Sequence, residues 1–135
     1  MDIIEYINES KDRKIGGTSY TEKDLCAALM YDIENILMDN EMENDVTVIE
    51  LWAHGSRMRG DYRPDSDIDI VVFYYADYVK EDALMNILNK EGIEIEGHNV
   101  DFNPILVDSD RDIKAYKKKS EKYDLEKLKK NGTNK

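Results

Sequence analysis

The stretch GSRMRGDYRPDSDIDIVVF, Gly55–Phe73, contains the residues of this 135-residue chain that say most about its fold and chemistry. Ser66–Tyr75 is the strongest predicted strand, because Ile, Val, Phe and Tyr dominate it. Asp67 and Asp69 begin this strand and, two positions apart, point to the same face. Two carboxylates held side by side repel each other unless a cation lies between them. Because carboxylate oxygens are hard ligands, the pair favours a Mg²⁺ site, although a bare Asp-x-Asp is more often a solvated strand end.

The first half of the stretch predicts a turn that binds an anion. Gly55 and Ser56 directly follow a predicted strand, 46–53. Glycine lets the backbone turn sharply and approach a ligand, and serine is a favoured N-cap of a helix. A strand, a turn and a helix start present backbone N–H groups to a group such as phosphate. Three arginines add positive charge to an otherwise acidic domain: Arg57, Arg59 and Arg63.

The chain around this stretch predicts helices and strands that belong to a single domain, residues 1–135. Thr21–Asp24 resembles a capping box, and apolar residues at helical spacing follow it, which predicts a helix over 22–38. The remaining predicted elements are a short helix at 3–8, a loop at 10–20, a helix at 78–90, strands at 93–96 and 100–106 joined by a turn at 97–99, a helix at about 110–130 and a disordered end at 131–135. This order predicts an α+β fold, an α/β sandwich with helices packed on one face of a mixed sheet of about four strands.

The net charge of −11 opposes nonspecific binding to nucleic acid, which needs a basic surface. The charge is uneven, since residues 111–135 carry +6 and residues 1–110 carry −17. A basic end of this kind is most often a solvated helix, although an internal contact with the acidic body or a contact with an acidic partner remains open.

The sequence also predicts a soluble protein of the cytoplasm. Cys26 is the only cysteine, so neither a disulfide framework nor a thiolate metal cluster can form, and we expect it in the core. The N-terminus lacks the basic start and apolar run of a signal peptide. No apolar stretch approaches the roughly 20 residues that span a bilayer, so no membrane association is expected.

The spacing Gly-Ser, ten residues, Asp-x-Asp resembles the signature of the DNA polymerase beta-like nucleotidyltransferase superfamily. Residues 51–73 resemble its minimal nucleotidyltransferase branch in detail, and the order of elements agrees over about 20–107, the expected core of a palm-like sheet. The superfamily has a third carboxylate on a later strand, and Asp101 matches it. Taken alone, Asp101 would be read as a charge that protects an edge strand from aggregation.

The resemblance implies a reaction and a set of site residues. It implies transfer of a nucleotide, AMP from ATP or the equivalent from another nucleoside triphosphate, with two Mg²⁺ ions held by Asp67, Asp69 and Asp101. Asp101 would also accept the proton of the acceptor hydroxyl. The nucleotide-binding residues would be Gly55, Ser56, Arg57, Arg59, Arg63 and Ser66, with the arginines neutralising charge that develops during transfer. His54 and His98 are expected to be structural or turn residues.

The resemblance also implies an acceptor. Minimal nucleotidyltransferases are often encoded with a helical HEPN-type ribonuclease toxin, and some act as its antitoxin by moving AMP onto a tyrosine of that partner. Relatives that modify aminoglycosides usually carry an extra helical domain, for which this chain has no room, so a protein acceptor is favoured. The alternatives are an antitoxin that binds nucleotide without catalysis, a small-molecule nucleotidyltransferase of the aminoglycoside type, and an unrelated Ca²⁺- or Mg²⁺-binding structural domain. The roles of residues 1–20 and of the basic final helix, as partner-binding element or as cover for the sheet, stay open.

Overall fold

The computed structural model describes residues 13–133, with side chains as far as residue 130. The predicted helix at 3–8 and the last two residues therefore lie outside the described part of the chain. The elements are α1 Glu22–Asp39, β1 Thr47–His54, α2 Ser56–Arg59, β2 Ile68–Tyr75, α3 Glu81–Asn89, β3 Glu94–Ile95, β4 His98–Leu106 and α4 Asp110–Thr133. Helix α4 thus continues through residues 131–133, which we had expected to belong to a disordered end.

The four strands form one mixed sheet in the order β1-β2-β4-β3. Strand β1 pairs with β2 and β3 pairs with β4 in antiparallel fashion, whereas β2 and β4 are parallel. Parallel neighbours need a long crossover, and α3 supplies it between β2 and β4. The predicted α+β class with a mixed four-stranded sheet is confirmed.

Helices contact both faces of the sheet. Helices α1 and α3 pack on one face with Leu29, Ile33 and Leu84 completely or almost completely buried. The start of α4 covers a smaller cluster on the other face, where Ile113 is buried beside Phe73. We had expected helices on one face only. Strand β2 is apolar on both sides, since five consecutive residues from 70 to 74 are buried, and such a strand requires cover on each face.

A β-bulge in β1 determines which of its side chains point toward α1 and which point toward α4. The register between β1 and β2 shifts between Val48 and Glu50, and the side chain of Ile49 is exposed. After the bulge Leu51 joins the α1 side of the core, while Trp52 joins the α4 side. Leu51 and Trp52 are therefore both buried, on opposite faces of the sheet.

The start of α1 is tied to the end of β1. Thr21 is the N-cap of α1, and its Oγ1 accepts a hydrogen bond from the backbone N–H of Asp24 at 3.2 Å, which confirms the predicted cap. The next residue, Glu22, is buried and accepts hydrogen bonds from the N–H of Ala53 at 2.8 Å and from Arg13 at 2.9 Å. This carboxylate fixes the helix against the strand that leads into the Gly55 turn.

Cys26 packs against the core, as expected. Among residues 13–133, no helix has the length and apolar character needed to cross a membrane.

Candidate active site

The parallel pairing of β2 and β4 brings two of the predicted carboxylates together. Asp69 is the second residue of β2, and its partner in the register is Asp101 of β4. Residues paired in this way project from the same face of a sheet. Asp67 lies two residues before Asp69 and is exposed, just ahead of the first residue of β2. The pairing explains why an aspartate interrupts the apolar sequence of β4.

The three carboxylates affect one another electrostatically. Burial raises the pKa of Asp69 to about 6, and the negative charges of Asp101 and Asp67 contribute to the same shift. The pKa of Asp101 is also raised, first by its partial removal from solvent and then by Asp67. Because like charges cause part of both shifts, a cation between the carboxylates would relieve the repulsion.

Gly55 places backbone directly against Asp69. Its φ of 88° and ψ of −164° lie in a region that is essentially restricted to glycine. A Cβ at this position would overlap Oδ2 of Asp69. The predicted turn is therefore present, with Gly55 rather than Ser56 as the N-cap of α2, and α2 itself is only four residues long.

Arg57 holds the loop together and does not face the cleft. Only 3% of the residue is exposed, and its guanidinium donates to the carbonyl oxygens of Gly16 at 2.8 Å and of Ser66 at 2.7 and 3.0 Å. The same group lies 5.0 Å from the centre of the Tyr62 ring and 3.1 Å from Nδ1 of His98. The expectation that Arg57 neutralises charge on the nucleotide is thus corrected, because carbonyl acceptors already occupy its donors. His98 is structural, as expected.

Arg59 is the arginine that reaches the cleft. It donates to Asp61 at 3.1 Å and to Asp124 of α4 at 3.1 Å, and its positive charge opposes part of the rise that burial and the neighbouring carboxylates cause in the pKa of Asp69. Arg63, in contrast, is exposed. Its backbone N–H donates to the hydroxyl of Ser66 at 2.8 Å, so this serine closes a turn in the loop before β2.

A cavity of about 260 Å³ lies beside the aspartate pair. Four of the predicted site residues line it: Gly55, Arg59, Asp69 and Asp101. Ser56, Arg63, Ser66 and Asp67 are not part of its lining. The cavity therefore brings together the turn, one arginine and the in-register carboxylates.

The cavity lining also includes residues that sequence reasoning missed. They are His54, Met85, Asn103 and, from α4, Tyr123 and Lys127. His54 stacks on Trp52 with ring centres 5.2 Å apart, and burial lowers its pKa. Its position immediately before Gly55 was a usable signal for a place in the site. No comparable signal in the sequence marks Tyr123 and Lys127, which lie more than 50 residues after the Gly55 turn.

The carboxylates fit a Mg²⁺ ion that arrives with a triphosphate. Within residues 13–130, no group of three or more His, Cys, Asp or Glu side chains has the spacing of a ready-made metal site. Mg²⁺ does not require one, because it is usually held by one or two carboxylates together with substrate phosphates and water. Asp69 and Asp101 are paired in register, and both have raised pKa values. They offer two carboxylate ligands and leave the other positions of the ion to phosphates and water.

Comparison with known families agrees with this geometry. A family model described as a nucleotidyltransferase domain matches residues 37–131. The match contains the Gly55 turn and both strands that carry the paired aspartates. No curated protein and no solved structure matches the chain. Because the match covers most of the chain and includes the whole site, this protein belongs to the nucleotidyltransferase domain family and has the fold of a minimal, DNA polymerase beta-like nucleotidyltransferase.

Proposed function

We propose that this protein transfers AMP from ATP to a hydroxyl group in a Mg²⁺-dependent reaction. The observation that carries the proposal is the register of β2 and β4, which sets Asp69 beside Asp101 at the Gly55 turn. A triphosphate brings several negative charges and therefore needs both cations and backbone that approaches closely. Within the cavity, Arg59 supplies positive charge and the Gly55 turn supplies the backbone, and the carboxylates would hold the metal.

The residues of the chain have separate roles in this reaction. Asp69 and Asp101, with Asp67 beside them, would hold Mg²⁺, which when bound neutralises the charge of the triphosphate and of the departing pyrophosphate. The acceptor oxygen forms a bond to the α-phosphorus, the bond between this phosphorus and the bridging oxygen of the β-phosphate breaks, and pyrophosphate leaves. Asp101 would also accept the proton of the acceptor hydroxyl. Arg59 stabilises charge on the phosphates.

The acceptor that we propose is a tyrosine on a partner protein, a helical HEPN-type ribonuclease toxin for which this chain would be the antitoxin. The support is the resemblance of residues 51–73 to minimal nucleotidyltransferases and the charge of −17 on residues 1–110. An acidic surface suits a basic partner such as a ribonuclease, because complementary charge accelerates and orients association.

Transfer from ATP labelled at the α-phosphate tests the proposal. The purified chain is incubated with labelled ATP, Mg²⁺ and a lysate of cells that express the candidate ribonuclease, and labelled products are separated by size. We expect label on a polypeptide, attached through tyrosine, and no label with Asp69→Asn. Asp65→Asn is the matched control, since Asp65 is an exposed carboxylate of the same loop.

The other outcomes of this experiment are equally informative. Label on a small molecule would replace the protein acceptor with the small-molecule alternative. ATP-dependent stabilisation of the chain without any transfer would support a binding antitoxin and would contradict catalysis.

A further inference from the structure

The C-terminal half of α4 forms one side of the nucleotide cavity. Tyr123 and Lys127, four residues apart, both line the cavity that contains Asp69 and Asp101. Residues with this spacing lie on the same face of a helix. Asp124, next to Tyr123, binds Arg59 at 3.1 Å and comes within 3.9 Å of His54. This part of α4 is therefore held against the cleft by a charged contact.

The N-terminal half of α4 fixes the helix in this position. Ile113 is buried, and the ring of Tyr116 packs edge-on against Phe73 with centres 5.5 Å apart. Lys117 forms an ion pair with Glu50 of β1 and lies 5.7 Å from the centre of the Trp52 ring. These contacts anchor α4 along the sheet, so Tyr123 and Lys127 are brought to the cavity by a packed helix.

Charges in the cavity single out Lys127. Arg59, the cation proposed above for the phosphates, is shared with the carboxylates of Asp61 and Asp124, so it offsets only part of the charge of a triphosphate. Lys127 forms no ion pair in the part of the chain that the structure describes, and it faces a cavity that also contains Asp69 and Asp101.

We propose that Lys127 is a phosphate-binding residue of the nucleotide site, brought there by α4, and that its ligand is the triphosphate of the nucleotide. This inference rests on the proposed function and extends it. The ammonium group carries three donors and a full positive charge, which suits the outer oxygens of a triphosphate. The basic final helix, whose role the sequence left open, would then complete the active site.

The test compares ATP affinity among four proteins in the presence of Mg²⁺, measured by isothermal titration calorimetry. They are the wild type, Lys127→Ala, Lys127→Arg and Lys122→Ala. Lys122 is the matched control because it lies on the same helix with the same charge but lines a different surface, together with Lys118 and Leu125. Alanine favours a helix at both positions, so the fold should be retained.

We expect Lys127→Ala to weaken ATP binding roughly tenfold, Lys127→Arg to restore most of the affinity and Lys122→Ala to bind like the wild type. Equal affinities for Lys127→Ala and the wild type would overturn the inference and leave the proposed function intact. So would equal losses in Lys127→Ala and Lys122→Ala, which would indicate a general effect of charge. If the wild type itself bound no ATP, both the inference and the proposed function would be wrong.

Discussion

Gly55 occupies a backbone conformation that residues with a side chain rarely adopt, and it does so against the Oδ2 of Asp69. Two separate requirements, positive φ and absence of a Cβ, therefore meet at a single position. The sequence indicated this glycine because it follows a strand and precedes a serine. The contact with Asp69 was not predictable, since it depends on how β1 pairs with β2.

Replacing Gly55 by alanine should both destabilise the fold and displace the Asp69 carboxylate. We expect a loss of about 2–3 kcal/mol in the free energy of unfolding and loss of nucleotide transfer. Urea denaturation and the transfer assay measure the two effects. Gly92→Ala is the control, because Gly92 has a φ of 62° but no atom within 4 Å of an added Cβ. That variant should lose only about 1 kcal/mol and keep its activity. A Gly55→Ala protein as stable and active as wild type would contradict the described turn.

Asp69 makes the stability of the metal-free protein depend on pH. Its pKa in the folded state, about 6, is above the ordinary value of 3.8, so the folded chain binds the proton more tightly than the unfolded chain. The contribution of Asp69 to stability is therefore full below the ordinary pKa and is lost as pH rises through about 6. Partial exposure reduces the effect, which we place at roughly 1–2 kcal/mol.

Asp69→Asn should remove this dependence. In the presence of a chelator, the variant should be more stable than the wild type by roughly 1–2 kcal/mol at about pH 7.5, and the difference should shrink towards about pH 4.5. Urea denaturation at the two pH values measures it. A difference that stayed constant with pH would show that the pKa of Asp69 is not raised in the folded protein.

Arg57 shows where reasoning from single residues fails. Its place beside Gly55-Ser56 suggested a phosphate contact, yet its guanidinium is buried among the carbonyl oxygens of Gly16, Pro64 and Ser66. Those acceptors come from two segments that are distant in sequence. A pattern of residue types shows that an arginine is present but not whether carbonyl groups surround it.

Strand β4 illustrates how elements of this fold protect an open edge. Strand β3 covers only the first residues of the β4 edge that faces away from β2. The backbone N–H groups along this edge donate hydrogen bonds to groups elsewhere in the chain. The N–H of Val100 donates to the carbonyl of Ile93, that of Phe102 to the side chain of Asn89, and that of Leu106 to Glu81. Pro104 has no N–H to offer. The edge is therefore closed to pairing with another strand.

Removing the Asn89 side chain should open this edge. Asn89 both accepts from the N–H of Phe102 at 2.8 Å and donates to its carbonyl at 2.9 Å. Alanine would leave both backbone groups without a partner, so we expect a loss of about 2–3 kcal/mol in the free energy of unfolding. Asn86→Ala, an exposed asparagine on the same helix, should change stability little. Equal stabilities of the two variants in chemical denaturation would contradict the role of Asn89.

Element types were predictable from the sequence to a greater extent than their boundaries. The apolar periodicity predicted α1, β1, β2, α3 and β4 within a few residues. The hairpin before β4 differs by two residues, because the turn is Glu96-Gly97 with both φ values positive, and Ile95 pairs with His98. Such a two-residue turn matches the twist of the strands better than the three-residue turn that we had placed at 97–99.

At the scale of the whole molecule, the acidic body and the basic end of the chain meet. Helix α4 contacts the sheet through the ion pair of Lys117 with Glu50 of β1, and it contacts α2 through the ion pair of Asp124 with Arg59. The internal contact between a basic end and an acidic body, which the sequence offered as one explanation of the uneven charge, is therefore present in the pair of Lys117 with Glu50. The convergence of α4 with the aspartate strands could not be predicted, because it depends on which face of β2 the helix covers.

We propose above that Asp69 and Asp101, paired across parallel strands beside Gly55, bind a nucleoside triphosphate together with Mg²⁺. Titration of a non-hydrolysable ATP analogue into the protein in saturating Mg²⁺ tests it most directly, since no acceptor is needed. We expect Asp69→Asn and Asp101→Asn each to weaken binding by at least about tenfold, and Asp65→Asn to bind like the wild type. Unchanged affinity in both Asp69→Asn and Asp101→Asn would contradict the account.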